Sequence, residues 1–175
     1  MSGNPPLADP PLSLALEYKR WHGWRDKVYG RVHPNRRKRL LAYARQGLAY
    51  HGRMHYTEGP NRSDLFSRPR GSFSGASADC SQYAASMAHW AGVKKVTAQD
   101  WTGTLYTKGE LLADAVDGCY VIFGRSPGVH MGIMWGRNVV GFGEQQGPDV
   151  NTLASLIAYF AGHGHPGYVF RDITR

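Results

Sequence analysis

From Cys80 onward the chain carries apolar or small residues at Tyr83, Ala84, Met87, Ala88 and Ala91. They fall on one face of an α-helix, which predicts a helix that opens at Cys80 and stops at Gly92. A second helix is predicted ahead of it, with Pro34 in its first turn, Leu40, Leu41, Ala44 and Leu48 on its buried face, and Gly52 at its end. A third, amphipathic, runs from Ser13 to about Tyr29 behind a Pro-rich lead-in over residues 1–12. The segment from Glu58 through Ser77 reads as polar loop, and Val93 to Leu112 as a connector with a short helix near its end. Beyond Asp117 the period changes. Cys119 to Gly124 is a continuous apolar strand, and Val129 to Trp135 alternates so that His130, Gly132 and Met134 share one face. Asn138 to Glu144 is a further strand with Val140, Phe142 and Glu144 on one face. Val150 to Ala161 follows as a helix and Tyr168 to Ile173 as a last strand. Helices first and an antiparallel meander after predict an α+β fold, helices packed on an antiparallel β-sheet with a helical N-terminal extension.

Composition narrows the class. The 175 residues suit one core of ordinary domain size, and 42% apolar with 19% charged residues is globular composition. Cys80 and Cys119 allow one bridge at most, and Met1 to Pro6 shows no basic or apolar leader, so both are expected as reduced thiols in a chain made in a cytoplasm. No eighteen consecutive apolar residues occur, so no membrane span is expected. The net charge of +8 is lopsided: residues 1–70 hold 14 basic and 5 acidic side chains, residues 71–175 hold 7 and 8. Such a field suits an anionic polymer. Nucleic acid is the less favoured partner, because no zinc-finger spacing or RNA-binding signature is present. Anionic wall polymers are the other candidate, and a solvated helix face accounts for the charge equally well. The run Arg36 to Arg39 stands at the helix end where the dipole disfavours cations, which adds weight to anion binding. His51 and His55, four apart, do not make a zinc-peptidase motif: Gly52 breaks the helix and no glutamate follows the first histidine. No metal or cofactor is expected.

Chemistry concentrates at Cys80. In the first turn of a helix, unpaired N–H groups and the dipole favour a thiolate, and cysteines so placed fall to pKa values of about 3.5–7.5. A small hydrophobe filling a core helix is the plain alternative. Cys119, in an uninterrupted apolar strand, reads as core, and His163 and His165 as loop features. His130 lies on a strand face beside Gly132, where a glycine leaves room for a substrate backbone. A helix-borne cysteine followed by a strand-borne histidine is the order of a papain-like cysteine hydrolase.

The residues that carry this order resemble a known family. Asp79-Cys80-Ser81, then His130-Met131-Gly132-Ile133 fifty residues after the cysteine, resemble the NlpC-type cysteine peptidases that cut peptidoglycan stem peptides. His55-Tyr56-Thr57, Trp101-Thr102-Gly103-Thr104-Leu105 and Gly143 to Pro148 resemble elements of the peptidase modules of actinobacterial-phage lysins. The resemblance covers about residues 34–175, leaving residues 1–33 as lead-in and basic N-terminal helix. It implies a papain-like fold, Cys80 as nucleophile, His130 as general base and Tyr56 beside the nucleophile. Asp79, Ser81, Gly132 and Thr102 are expected along the substrate. The family's third member, twelve residues past the histidine, falls on Phe142, which cannot orient an imidazole. Either Glu144 takes that role or the triad is degraded. The expected activity is hydrolysis of a peptidoglycan amide through a thioester, at the cell wall or from a virion. The alternative is a wall-binding or virion structural protein of the same fold without turnover.

Overall fold

The computed structural model describes residues 33–143 and 147–175. The predicted helix at Ser13 to Tyr29 and the candidate Glu144 lie outside the described residues. Helix α1, Arg36–Gly47, is capped by Asn35, whose side chain accepts from the Lys38 backbone N–H, so Pro34 precedes the cap and does not lie in the first turn. Leu40, Leu41 and Ala44 are buried along it, and a 3₁₀ turn, Leu48–Tyr50, ends the segment.

The polar stretch after it contains more order than its composition suggests. Strand β1, His55–Tyr56, pairs in parallel with β2, Ser77–Ala78, and between them come a 3₁₀ turn, Pro60–Ser63, and a one-turn helix α2, Asp64–Ser67. Asp64 ties this loop together, accepting from the Ser77 N–H and from Arg68, each at 3.0 Å. Two-residue strands are too short to leave a period in the sequence.

Helix α3, Cys80–Trp90, is the helix predicted from the apolar spacing, and Gly92 follows it at φ +86°. All its residues except His89 are buried. It lies between α1 and the sheet, fastened by two phenols. Tyr83 donates to the Ala44 carbonyl at 2.7 Å, and Tyr120 donates to the Ala84 carbonyl at 2.8 Å. The connector then forms helix α4, Thr102–Thr107, and strand β3, Glu110–Leu112.

The sheet comprises β3, β4 (Tyr120–Phe123), β5 (His130–Trp135), β6 (Asn138–Gly143), β7 (Gly147–Thr152) and β8 (Tyr168–Asp172) in the order β3-β8-β4-β5-β6-β7, antiparallel throughout. Helix α5, Leu153–Gly162, carries the chain from β7 to β8. The helix expected to begin at Val150 therefore begins at Leu153, and the residues before it are an edge strand. Strand alternation divides the core. Tyr120, Ile122, Met131, Ile133, Val140 and Phe142 pack with α1 and α3, whereas Cys119, Val121, Phe123, Met134 and Val139 pack with Leu156 of α5 on the other face. Cys119 is a free, fully buried thiol, pushed up to about 11 chiefly by burial.

Half of the basic run is spent internally. Arg37 pairs with Asp172 at 2.8 Å, and Arg39 donates to the Ala91 carbonyl at the end of α3. Arg36 and Lys38 remain exposed. His51 bonds through Nδ1 with the Pro148 carbonyl at 2.9 Å and does not join His55 in a metal site. Among the described residues no group of three or more His, Cys, Asp or Glu is disposed to hold a metal, and no helix is long and apolar enough to cross a membrane.

Candidate active site

Cys80 is the first residue of α3, and the local sequence explains why the helix starts there. Asp79 caps it, its Oδ1 accepting from the Gln82 N–H and the Ser81 hydroxyl, each at 2.7 Å. The other carboxylate oxygen meets Arg62 at 3.2 Å, and Arg62 also donates to the Asp100 carbonyl. Asp79 and Ser81, expected along the substrate, are thus buried with their polar atoms committed to the cap. The same pattern that makes them look functional is what a helix start requires.

The thiol sits in the core. Its pKa is pushed up to about 12, by burial first and the Asp79 charge second, while hydrogen bonding from the Met131 backbone, the Thr102 side chain and the Ser81 backbone pulls the other way. The expected low-pKa thiolate is therefore not the resting form: desolvation outweighs the helix terminus. Thr102, at the start of α4, stands against the sulfur. The turn before β5 packs on it, since a Cβ at Gly128 would come within 3.1 Å of Thr102 Cγ2. Tyr56 in β1 is also close enough for the Cys80 charge to raise its pKa, although burial raises it more. Its hydroxyl donates to Glu58 at 3.0 Å. Phe142, at the family's third position, is fully buried and packs against Tyr56 and Tyr83, with ring centroids 6.1 and 5.2 Å away.

His130 opens β5 immediately before Met131, so it reaches the same end of the molecule as Cys80, and the Asp79 charge acts on it. Burial is the larger influence and pushes its pKa down to about 4. The ring is on the α5 side of the sheet, stacked with Phe160 at 5.4 Å and Phe123 at 6.4 Å. Gly132 is not an opening for substrate. A Cβ there would run into the Val139 side chain and lie 2.9 Å from the Val140 carbonyl, so the glycine serves the approach of β6.

The sequence reading gave no role in the site to three further residues. Asp149 of β7 lies opposite Gly141 of β6, with Oδ1 directed into the space over that glycine where His130 Nε2 also points. Trp101, 45% exposed, lays its ring over Gly103 beside Thr102, and Val129, also 45% exposed, precedes His130. Each is a large apolar side chain left at the surface, next in sequence to Thr102 and to His130. The proximity of Asp149 comes from strand register, which no local motif announces.

No family model and no curated protein matches the sequence. Solved structures do match in three dimensions. The peptidoglycan hydrolase RipB from Mycobacterium tuberculosis superposes with a TM-score of 0.55 at 15% identity, over 98% of this chain and 96% of that one. The P60 domain of an antigen from M. avium subspecies paratuberculosis gives 0.52 at 16% identity, over 79% of this chain and 98% of that one. The resuscitation promoting factor interacting protein RipA gives 0.51 at 16% identity, covering 98% of this chain and 92% of that one. These likenesses establish the fold: an α+β architecture of the papain-like, NlpC/P60 kind.

Proposed function

We propose that the protein is a cysteine hydrolase that cleaves an amide of bacterial peptidoglycan, with Cys80 as nucleophile and His130 as general base. The observation that carries this reading is a buried cysteine at the start of the central helix, hydrogen-bonded to the backbone of the residue after His130, in a fold shared with a peptidoglycan hydrolase. Cys80 Sγ would attack the amide carbonyl as His130 takes the thiol proton. The C–N bond then breaks as His130 returns that proton to the leaving nitrogen. Water attacks the thioester, His130 accepts its proton, and the C–S bond breaks with the proton passed back to sulfur. Because both groups rest neutral, this is base-assisted attack and not the reaction of a preformed ion pair. The oxyanion would be met by the Cys80 backbone N–H, with Tyr56 in reach only if its hydroxyl leaves Glu58.

The bond is either inside the stem peptide or at its base. The elements at His55-Tyr56-Thr57, Trp101 to Leu105 and Gly143 to Pro148 support a phage lysin as the finer identity. One observation favours a second reading, a wall-binding protein without turnover: Phe142 fills the usual orienting position as core. Mass analysis of purified peptidoglycan after digestion by wild type and by Cys80→Ala separates the two. Release of new amine and carboxyl ends by wild type alone is expected. Intact peptidoglycan with both proteins would leave only the binding reading.

A further inference from the structure

We propose that Asp149 is the positioning carboxylate for His130, reaching the imidazole from β7 across the gap left by Gly141. The proposal rests on reading Cys80 and His130 as a hydrolytic pair. Register puts Asp149 opposite Gly141, and because Val140 and Phe142 turn toward α1 and α3, Gly141 and Asp149 turn to the side that holds the His130 ring. A Cβ at Gly141 would lie 3.2 Å from Asp149 Oδ1 and 3.7 Å from His130 Nε2. Any larger residue there would stand between carboxylate and imidazole. The other oxygen, Oδ2, accepts from Asn151 Nδ2 at 3.1 Å, which holds the carboxylate with Oδ1 directed over the glycine.

The chemistry follows from the two ring nitrogens. A carboxylate that accepts Nε2–H fixes the tautomer in which Nδ1 is bare, leaving Nδ1 to take the proton from Cys80, and it stabilises the imidazolium formed during attack. Phe142 offers no such acceptor. The strand after it does, one step further along the sheet. The stacked Phe160 and Phe123 rings limit the rotation of the imidazole.

The test is the tautomer of His130, read by ¹⁵N NMR of ring-labelled protein, together with turnover of purified peptidoglycan. Wild type is expected to show the Nε2–H tautomer, Asp149→Asn to show a mixture or the reverse, and Asp149→Glu to restore much of the first. Asp149→Asn should lower kcat at least about tenfold with KM little changed, below the ~10⁴-fold seen when a serine triad loses its carboxylate. Gly141→Ala, which places a methyl in the shared space at an ordinary negative φ, should shift the tautomer in the same direction, and it carries the test if Asp149→Asn does not fold. An unchanged tautomer with undiminished kcat in both variants overturns the proposal. So does a tautomer that responds to Glu144→Gln and not to Asp149→Asn. If wild type cleaves no peptidoglycan, the functional reading fails, while the NMR arm still decides whether Asp149 holds the ring.

Discussion

At Cys80 two physical effects oppose each other. A helix terminus offers a charge about 0.3–2 kcal/mol of stabilisation, whereas each pKa unit of desolvation costs about 1.4 kcal/mol, and here burial wins. The thiol stands near 12 and the imidazole near 4. Alkylation of Cys80 by iodoacetamide should therefore rise about tenfold per pH unit from pH 7 upward, following the thiolate fraction. A rate that is flat from pH 6 to 8 would mean a thiolate–imidazolium pair instead. His130 supplies a second expectation. A base whose folded pKa lies below its unfolded value of about 6.5 binds fewer protons folded than unfolded, so stability is lost as pH falls from 6.5 through 4. Urea denaturation at pH 7 and pH 4.5 should show that loss, and His130→Phe should reduce it. A pH slope unaltered by the substitution would remove His130 as its source. Of the candidate site, the sequence displayed a cysteine at a helix start and a histidine at a strand start, because those positions follow from spacing on one helix and one strand. It did not display their protonation states, which depend on what the rest of the chain packs around them.

Elements were legible in proportion to how far their own side chains dictate their burial. Helix α3 could be read from Tyr83, Ala84, Met87, Ala88 and Ala91 because it is buried on nearly every side. Strand β7 could not. Pro148, Asp149 and Asn151 are poor strand formers, and an edge position with one neighbour tolerates them. The helical register of Leu153, Leu156, Ile157 and Phe160 then drew Val150 into the helix. The same local ambiguity misplaced Gly132, whose missing side chain admits β6 rather than substrate. Gly132→Ala should cost about 1–3 kcal/mol by overpacking against Val139 and the Val140 carbonyl. Asp79→Ala should cost at least about 1–2 kcal/mol through loss of the cap, and more because Arg62 loses its carboxylate and keeps only the Asp100 carbonyl. Chemical denaturation checks both. A stability within 0.5 kcal/mol of wild type for Asp79→Ala would return Asp79 to consideration as a substrate residue, on the threshold for an ordinary surface change of about that size.

At the scale of the molecule, the basic run among the described residues divides into two kinds, and the division makes wall affinity testable. Asp172 is almost wholly buried. Burial pushes its carboxyl up, but Thr174 and Arg37 outweigh it and hold the carboxyl below the usual range. Arg37 thus joins α1 to the end of β8, and Arg39 joins α1 to the last turn of α3. Removing Arg37 should cost stability, about 1–2 kcal/mol for a partly buried pair, without much effect on association with a polymer. Arg36 and Lys38 are exposed and make the complementary case. If the lopsided charge serves an anionic wall polymer, binding to cell-wall fragments should weaken steeply with added salt, since surface attraction is screened over about 8 Å at physiological ionic strength. The double variant Arg36→Glu, Lys38→Glu should bind less at low salt, show a shallower salt dependence, and unfold at the same urea concentration as wild type. Arg37→Ala should do the reverse, unfolding earlier with its salt dependence intact. Binding that ignores both salt and the double variant would assign the positive face to solubility. Equal salt-dependent affinity for DNA would show a field that draws polyanions without selecting the wall.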